Sequence, residues 1–467
     1  MEKTKLLQLL NCLSAWELRN LGQFLRSPFH NQRDDVVRLF KFYREQRDKR
    51  KPDFSDKAAI HAVWPDMSRS NAEYPNLRSY LYKLVEKYLA IEEIMGDEFL
   101  LKMYLAKAYG RLNKADNFGQ TVRDLKNILE KQPLRNTEHL RRQFELEYEL
   151  LDYDISRGDI KEDKLRQVSD MLDSHYFAEK LKLACAQTSF LYVRPDSFDI
   201  DQLHETVDFV KETINPTSHP AINMYYLAYR ALSDEHGKEH FTKIRHLLSN
   251  SGQQFTAREL GDVCRICLNY CIRRANQGDL AYANEGLILY SFGIEHGYLL
   301  KEGHLPYHTY INAAAFGISL GEFEWVERFI EDYKNKITLG QRENAYLFSL
   351  SRLRYAQGEY HQAMPLLAKF VTDYPYHFLI AQKMLCKIYF ELKEITPLES
   401  LLGSMVNYLH RHKMDTAMKA HFKLFVSLLS RLVKLTPGNE KAKCKLKSEA
   451  EKLPLKIDQN WFLKHLD

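Results

Sequence analysis

Two segments of the chain share one pattern: SLGEFEWVERFIEDY (residues 319–333) and AQGEYHQAMPLLAKF (residues 356–370). Each leaves an apolar, helix-like stretch, passes through Gly, Glu and an aromatic residue, and enters a second stretch of the same kind. The turn glycines, Gly321 and Gly358, are 37 residues apart. A period of this length with two amphipathic segments per unit is typical of two-helix repeats, so residues 307–375 predict a helical-repeat fold.

Related turns extend the pattern along the chain. They occur at Gly158-Asp159-Ile160, at Gly278-Asp279-Leu280 and, without the glycine, at Lys393-Glu394-Ile395. The successive intervals are 120, 43, 37 and 35 residues, and the first corresponds to three units of about 40. Glycine permits the left-handed geometry that ends one helix, the acid favours the positive N-terminus of the next, and the apolar residue is expected to pack at the corner.

The composition indicates an all-α protein. The chain has 467 residues with only 19 glycines and 14 prolines, whereas these two types make up about 12% of an average protein. So few turn formers favour long helices joined by short turns. A chain of this length exceeds one compact core, so we expect several domains or an elongated array. The net charge of +5 requires neither nucleic acid nor an anionic membrane as a partner.

The clearest units, in residues 260–410, resemble the tetratricopeptide repeat. Five residues after the turn glycine, that family has a small or apolar residue where the two helices cross closely. The corresponding residues here are Ala283, Val326 and Ala363. Cys267 and Leu347 depart from the family, which usually has large aromatic residues at those positions. The resemblance implies a right-handed superhelix of antiparallel helix pairs, an α-solenoid.

The sequence predicts four segments. They are an N-terminal helical domain (1–95), degenerate helix-pair repeats (96–255), tetratricopeptide-like repeats (256–435) and a basic C-terminal capping segment (436–467). The last segment closes on Trp461, Phe462 and Leu466, which we expect to cover the apolar edge of the last repeat.

Helix signals in residues 1–95 are local. Ser14 and Glu17 form a capping box that begins a helix, and Ser27-Pro28 ends it. Asn31 is expected to cap the next helix. Residues 1–95 also resemble bacterial helical-repeat proteins that share the segment FLRSPFHN (residues 24–31), a resemblance that implies no activity.

In the tetratricopeptide family, the first helix of each pair lines the concave surface of the superhelix. Nine residues before the turn glycine this chain has Asn269 and Asn312, at a position that in the family often hydrogen-bonds a peptide backbone. The resemblance implies a cationic groove for an extended or acidic peptide. The candidate groove residues are Arg265, Asn269, His308, Asn312, Arg352, Tyr355, Lys383 and Lys387. Ser349 replaces the third asparagine. The alternative is that these residues are solvated polar positions on amphipathic helices.

A second hypothesis concerns residues 54–89, which resemble the helix-turn-helix of bacterial activators that also carry helical repeats. A short helix ends at Trp64-Pro65-Asp66, and a second begins with Asn76-Leu77-Arg78. The resemblance implies that the second helix contacts DNA, with the basic residues 47–51 on phosphates. The candidate DNA-contacting residues are Asn76, Arg78, Ser79, Tyr82 and Lys83. No β-rich segment precedes residue 54 and the segment after Leu89 is acidic, so a helical domain that caps the first repeat is the alternative.

Two patterns could indicate a metal site. Cys264, Cys267 and Cys271 have a suggestive spacing, but the outer two would be two helical turns, about 10 Å, apart. We therefore interpret all three as packing residues. Two histidine pairs have i, i+4 spacing without an obvious third ligand nearby: His236 with His240, and His304 with His308. The sequence therefore predicts no metal and no cofactor.

The remaining signals bear on function class. The sequence has no phosphate-binding loop, dinucleotide fingerprint, nucleophile elbow or kinase signature, so we expect no enzyme and infer no small-molecule substrate. Seven cysteines without a disulfide-scaffold density indicate a cytoplasmic protein, and no apolar run reaches membrane-spanning length. The leading hypothesis is a non-catalytic protein- or peptide-binding scaffold. The alternative is a DNA-binding transcriptional regulator in which the repeats serve as a sensor or dimerisation module.

Overall fold

The computed structural model describes residues 4–65, 72–158, 161–193, 207, 209–210, 217, 219–233, 237–250, 252–414, 416–436 and 438–466. Within these ranges the chain forms 22 α-helices and no β-strand, so the predicted all-α class is confirmed. The chain divides into two compact units, Met1–Lys131 and Gln132–Asp467. The predicted division into four segments stays a prediction.

The first unit contains seven helices. They are α1 (Lys5–Cys12), α2 (Ala15–Arg26), α3 (Asp34–Arg47), α4 (Asp56–Val63), α5 (Tyr74–Gly96), α6 (Glu98–Arg111) and α7 (Ala115–Lys131). Helix α3 packs against α2, α4 and α5, and α6 packs against α7. The core of α1 to α5 is built from fully buried leucines and valines at helical spacing, among them Leu21, Leu39 and Leu81.

Local signals set the helix ends in this unit. The predicted capping box at the start of α2 is confirmed, because the Glu17 backbone N–H donates to Ser14 Oγ (3.2 Å) and the Ser14 backbone N–H donates to Glu17 Oε2 (2.6 Å). The prediction for Asn31 is wrong. Helix α3 begins at Asp34, and Asn31 Nδ2 instead donates to the backbone oxygen of Leu25 at 2.9 Å. Asn31 therefore does not cap α3, and its side chain instead satisfies a backbone carbonyl in the last turn of α2.

The second unit contains the other fifteen described helices. They are α8 (Thr137–Ser156), α9 (Glu162–Val193), α10 (Pro220–Ser233), α11 (Lys238–Asn250), α12 (Ala257–Asn276), α13 (Leu280–Glu295), α14 (Tyr307–Leu320), α15 (Phe323–Tyr333), α16 (Leu339–Ala356), α17 (Tyr360–Lys369), α18 (Pro375–Glu391), α19 (Ile395–Arg411), α20 (Thr416–Val433), α21 (Glu440–Ala450) and α22 (Lys456–Leu466).

Two kinds of helix contact organise the second unit. From α10 onwards each helix packs against the next one in the chain. In addition, α14 contacts α16, α16 contacts α18, and α18 contacts α20. The alternate helices α14, α16, α18 and α20 therefore form a continuous layer, which we term the first-helix layer. The helices between them, α15, α17 and α19, lie against it.

The turn prediction is confirmed where the structure describes the turn. Gly278, Gly321 and Gly358 have φ values of 95°, 77° and 78°, and Lys393, which lacks the glycine, has φ 61°. Gly158 has φ 73°, but Asp159 and Ile160 lie outside the described residues. The predicted packing of the apolar corner residue is wrong for Leu280 and Ile395, which are 61% and 41% exposed.

Close helix crossings explain the small residues after these turns. Ala283, Val326 and Ala363 are each fully buried. A Cβ atom placed on Gly317 of α14 would lie 2.5 Å from Cγ2 of Val326 in α15, so the glycine allows the two helices to approach.

The C-terminal residues add two helices to the core of the second unit. Phe462 and Leu466 of α22 are each 1% exposed and belong to a hydrophobic cluster with residues of α18, α19 and α20. Trp461 packs at its edge and donates from Nε1 to Glu391 Oε1 at 3.0 Å. The residues predicted to cover an apolar edge therefore lie on or in a core.

Candidate peptide-binding groove

The eight predicted groove residues lie on α12, α14, α16 and α18, but their surroundings differ. On α12, the Arg265 side chain is about half exposed and forms an ion pair with Asp262 one turn earlier. Asn269, four residues further along, is half-buried. No ring or charge contact in the described part of the chain connects this pair with the groove residues of the later helices.

The three positions compared with the peptide-binding asparagines also differ. Asn312 is half-buried, and a hydrogen bond with its side chain partly offsets the rise that burial causes in the pKa of Tyr290. Ser349, at the equivalent position of the next repeat, is 1% exposed. The Ser349 position is therefore closed to a ligand, whereas Asn269 and Asn312 are partly open.

An aromatic cluster surrounds Arg352 where α14, α16 and α18 meet. We term it the Arg352 cluster, and it consists of Tyr307, His308, Phe348, Arg352, Tyr374, Tyr376 and His377. Only His308 and Arg352 of these were predicted as groove residues. Tyr307, Tyr376 and His377 lie at the beginnings of α14 and α18. These positions are far from the turn glycines, so the repeat spacing does not predict them.

His377 lies at the centre of the cluster. Its ring centroid is 5.3 Å from the rings of both Tyr307 and His308. It is also 5.5 Å from the ring of Phe348 and 5.7 Å from that of Tyr374. His377, Tyr307 and Phe348 are buried, whereas Tyr374 is 43% exposed and His308 is also exposed. The cluster therefore has a buried floor and an aromatic rim that is open to solvent.

Two polar atoms in this floor lack a hydrogen-bond partner among the described residues, Tyr307 Oη and His377 Nδ1. Burial raises the pKa of Tyr307 to about 12, so its hydroxyl keeps its proton at neutral pH. Burial, together with His308 and Arg352, lowers the pKa of His377 to about 4, so this histidine is neutral. Partial burial also lowers the pKa of His308. Arg352 is therefore the cation of the cluster at neutral pH.

Lys383 and Lys387 are placed differently from the expected open groove. They are 6% and 5% exposed, and both contact Asp458 of α22, which is fully buried. Lys383 Nζ lies 2.5 Å from Asp458 Oδ2, and Lys387 Nζ lies 2.8 Å from Asp458 Oδ1. His421 Nε2 of α20 is 3.4 Å from the same carboxylate. The C-terminal helix thus covers both lysines, and its carboxylate binds them.

The protonation of this buried group follows from its charges. Burial alone would raise the pKa of Asp458, but Lys383, the nearby ring of His421, and Lys387 hold it well below its usual range. Burial lowers the pKa of Lys387 to about 8 against the opposing effect of Asp458. Tyr355, the remaining groove candidate, is half-buried, and burial raises its pKa, with smaller effects from Tyr360, Glu391 and Asp458.

The five candidate DNA-contacting residues all lie on α5. Asn76, Ser79 and Lys83 are exposed. Arg78 is engaged within the protein, because its Nη1 lies 3.3 Å from Asp56 Oδ1 and its guanidinium carbon lies 5.7 Å from the ring centroid of Tyr74. Tyr82 hydrogen-bonds with Glu86 on the same helix. Residues 66–71 of the predicted helix-turn-helix, beginning with Asp66, lie outside the described residues.

The cysteine prediction agrees with the structure. Cys264, Cys267 and Cys271 are at most 1% exposed and belong to the core of the second unit. Burial raises the pKa of each of these thiols. His236 of the first histidine pair lies outside the described residues. In the part of the chain that is described, no three potential ligand side chains are grouped as a metal site would require.

Comparisons with known proteins do not assign a family. Neither the protein-family models nor the curated proteins include a match to this chain. A search of the described helices for one with the length and apolar character of a membrane span also finds none.

Proposed function

We propose that this protein is a non-catalytic scaffold that binds a protein or peptide on its first-helix layer. In this proposal α12 to α20 form a tetratricopeptide-like right-handed superhelix of antiparallel helix pairs, and the first-helix layer lines the concave groove. The alternate-helix contacts from α14 to α20 and the repeated left-handed turns support this arrangement. All seven cysteines are unpaired, which fits the cytoplasm as the compartment in which the protein acts.

The observation that carries the proposal is the Arg352 cluster. Side chains from three successive members of the first-helix layer, α14, α16 and α18, meet at one surface. Exposed aromatic rings beside an arginine are the residue types that dominate binding energy at protein interfaces. Asn312 lies one turn beyond His308 on α14 and can extend the contact to a peptide backbone. Lys383 and Lys387 are not included in the groove, because Asp458 already binds them.

An array of random decapeptides with free or amidated C-termini tests the proposal on the full-length chain. We expect the wild type to bind a defined subset of the peptides. The variant His308→Ala/Asn312→Ala should lose about tenfold or more in affinity for that subset, because rim contacts and a backbone hydrogen bond are removed.

Arg328→Ala is the matched control, since this arginine is exposed on α15, outside the first-helix layer. It should bind the same peptides as the wild type. A wild type that binds no peptide, or a groove variant that binds the same subset equally well, would contradict the proposal.

A further inference from the structure

Arg352 has no counter-ion within the part of the chain that the structure describes. Its guanidinium carbon lies 5.6 Å from the ring centroid of Phe348, and the groups that affect its charge are the hydroxyls of Tyr376 and Tyr307. Burial lowers the pKa of Arg352 below its ordinary value. Arg352 is half-buried, and a guanidinium that loses hydration without a carboxylate beside it destabilises a folded protein. Such a residue is stabilised when a ligand supplies the negative charge.

The neighbouring helix of the same layer shows what that charge can be. On α18, Lys383 and Lys387 would also be uncompensated cations, but Asp458 of α22 is inserted between them. Among the described residues, the chain thus supplies a carboxylate to the lysines of α18 and none to Arg352 of α16.

The chemistry of the cluster favours a monoanion with two planar oxygen atoms. The planar fork of a guanidinium matches a carboxylate through two parallel hydrogen bonds. Because both histidines are neutral at pH 7, the cluster presents a single positive charge. Phosphate groups carry up to two negative charges and are usually bound by several cationic groups, which makes a carboxylate the better match in charge. The buried Tyr307 Oη, which has no partner among the described residues, belongs to the floor beneath this site.

We propose that the Arg352 cluster binds a carboxylate of the peptide ligand, held by the Arg352 guanidinium and flanked by the rings of Tyr374 and Tyr376. This inference rests on the proposed function and specifies the partner as an acidic peptide. The exposed rings, which are 43% and 38% accessible, provide apolar contact for the ligand atoms that adjoin the carboxylate.

The test uses the peptides selected by the wild-type chain on the decapeptide array. Each is resynthesised with its Asp or Glu changed to Asn or Gln, and separately with its C-terminal carboxylate amidated. We expect one of these changes to weaken binding about tenfold or more, because a charge-assisted bidentate contact is lost. The side-chain series and the amide series distinguish an internal acidic residue from a C-terminal carboxylate.

The same peptides are measured with Arg352→Met and with Arg328→Met as the control. Arg352→Met should bind the acidic peptide as weakly as the wild type binds the neutralised peptide. It should bind the neutralised peptide with the same affinity as the wild type. Arg328→Met should behave as the wild type with both. Arg352→Lys should fall between, since lysine keeps the charge but not the planar fork.

Thermal unfolding of the free chain provides a second readout. Arg352→Met should be at least as stable as the wild type, because it removes an uncompensated cation. A clearly lower unfolding temperature would identify Arg352 as a structural cation and overturn the inference. Peptide affinity that changes neither when the carboxylate is neutralised nor in Arg352→Met would also overturn the inference, and it would leave the groove proposal intact. Failure of the wild type to bind any peptide would overturn both.

Discussion

At the scale of single residues, one buried carboxylate, that of Asp458, joins the C-terminal helix α22 to α18. Asp458 contacts two lysines and His421, all of them buried. One carboxylate compensates one ammonium group, so the second lysine is left with a net desolvation penalty. Burial lowers the pKa of Lys387 even with Asp458 beside it, so Lys387 carries a net desolvation penalty. The two kinds of charge should therefore respond oppositely to mutation.

We predict that Asp458→Asn lowers the free energy of unfolding by about 3–5 kcal/mol, because both ammonium groups then remain buried without a carboxylate. Lys387→Met should be at least as stable as the wild type at pH 7, since it leaves Lys383 and Asp458 as a balanced pair. Urea denaturation of the full chain measures both. Equal destabilisation by the two substitutions would contradict this account of the charges.

The pH dependence follows from the pKa of Lys387. Its folded-state value of about 8 lies below that of an unfolded lysine, which is about 10.4. Between these values the unfolded chain binds more protons on Lys387, so its unfavourable contribution is complete below the folded-state pKa and is relieved as the pH rises. The advantage of Lys387→Met over the wild type should therefore shrink between pH 7 and pH 10. An advantage that is constant over this range would show that Lys387 does not titrate there.

At the scale of secondary-structure elements, the same backbone hydrogen bond is found in several of the turns that join consecutive helices. The residue after the left-handed position donates its N–H to the carbonyl five residues earlier, as in Glu322 to Gly317 (3.0 Å), Glu359 to Arg354 (2.9 Å) and Glu394 to Tyr389 (2.8 Å). The same bond joins Lys114 to Tyr109 at 3.0 Å, after Asn113 with φ 52°. The turn therefore also occurs between α6 and α7, where asparagine replaces glycine.

We predict opposite effects of mutation at two of these turns. Gly358→Ala should lower the free energy of unfolding by about 1–2 kcal/mol, because alanine is strained at a left-handed φ. Lys393→Gly should raise it by about 1 kcal/mol, because a lysine already occupies that conformation with φ 61°. Chemical denaturation measures both changes.

Gly403→Ala is the matched control for these turns. Gly403 lies within α19, away from left-handed geometry, and a Cβ there meets no atom within 4 Å. Alanine should therefore stabilise the helix by about 0.5–1 kcal/mol. Destabilisation by Lys393→Gly would show that its side chain contributes more than its backbone strain costs.

For the whole molecule, the sequence predicts the features that depend on near neighbours. The helix ends around Ser14 and Ser27, and the left-handed turns, follow from a few adjacent residues. The role of Asn31 is not predictable in this way, because an asparagine side chain can bond to the helix on either side of it, and the choice depends on the backbone it meets. The burial of Lys387 was not predictable, since Asp458 is 71 residues further along the chain.

The Arg352 cluster has the same long-range origin. Arg352 and His308 could be proposed from the repeat spacing. Tyr307 and His377 could not, because they meet only once α14 and α18 are packed, 70 residues apart in the chain. The signal that could have drawn attention to them is the density of aromatic residues and histidines at the two helix beginnings, Tyr307-His308 and Tyr374-Pro375-Tyr376-His377.

The DNA-binding alternative belongs to the scale of the whole molecule, because it depends on how many basic groups are available on one surface. Sequence-independent affinity for duplex DNA comes from lysines and arginines placed on phosphates, and it falls steeply with salt. On α5, Arg78 pairs with Asp56, and the exposed candidates Asn76, Ser79 and Lys83 bring one positive charge. In the basic run, Arg47 Nη1 donates to the backbone oxygen of Leu13 at 3.0 Å, and Lys49, Arg50 and Lys51 are exposed.

We therefore predict that the full-length chain binds duplex DNA only with the affinity of non-specific protein–DNA binding, a Kd of about 1–100 µM at physiological salt. Asn76→Ala/Lys83→Ala should leave that weak binding almost unchanged, because only one phosphate contact is removed. Fluorescence anisotropy with a mixed-sequence 30-base-pair duplex at 50 and 200 mM salt measures both. Nanomolar binding that this double variant abolishes would instead place the function of the protein on α5, and the first-helix layer would then act as its sensor or dimerisation surface.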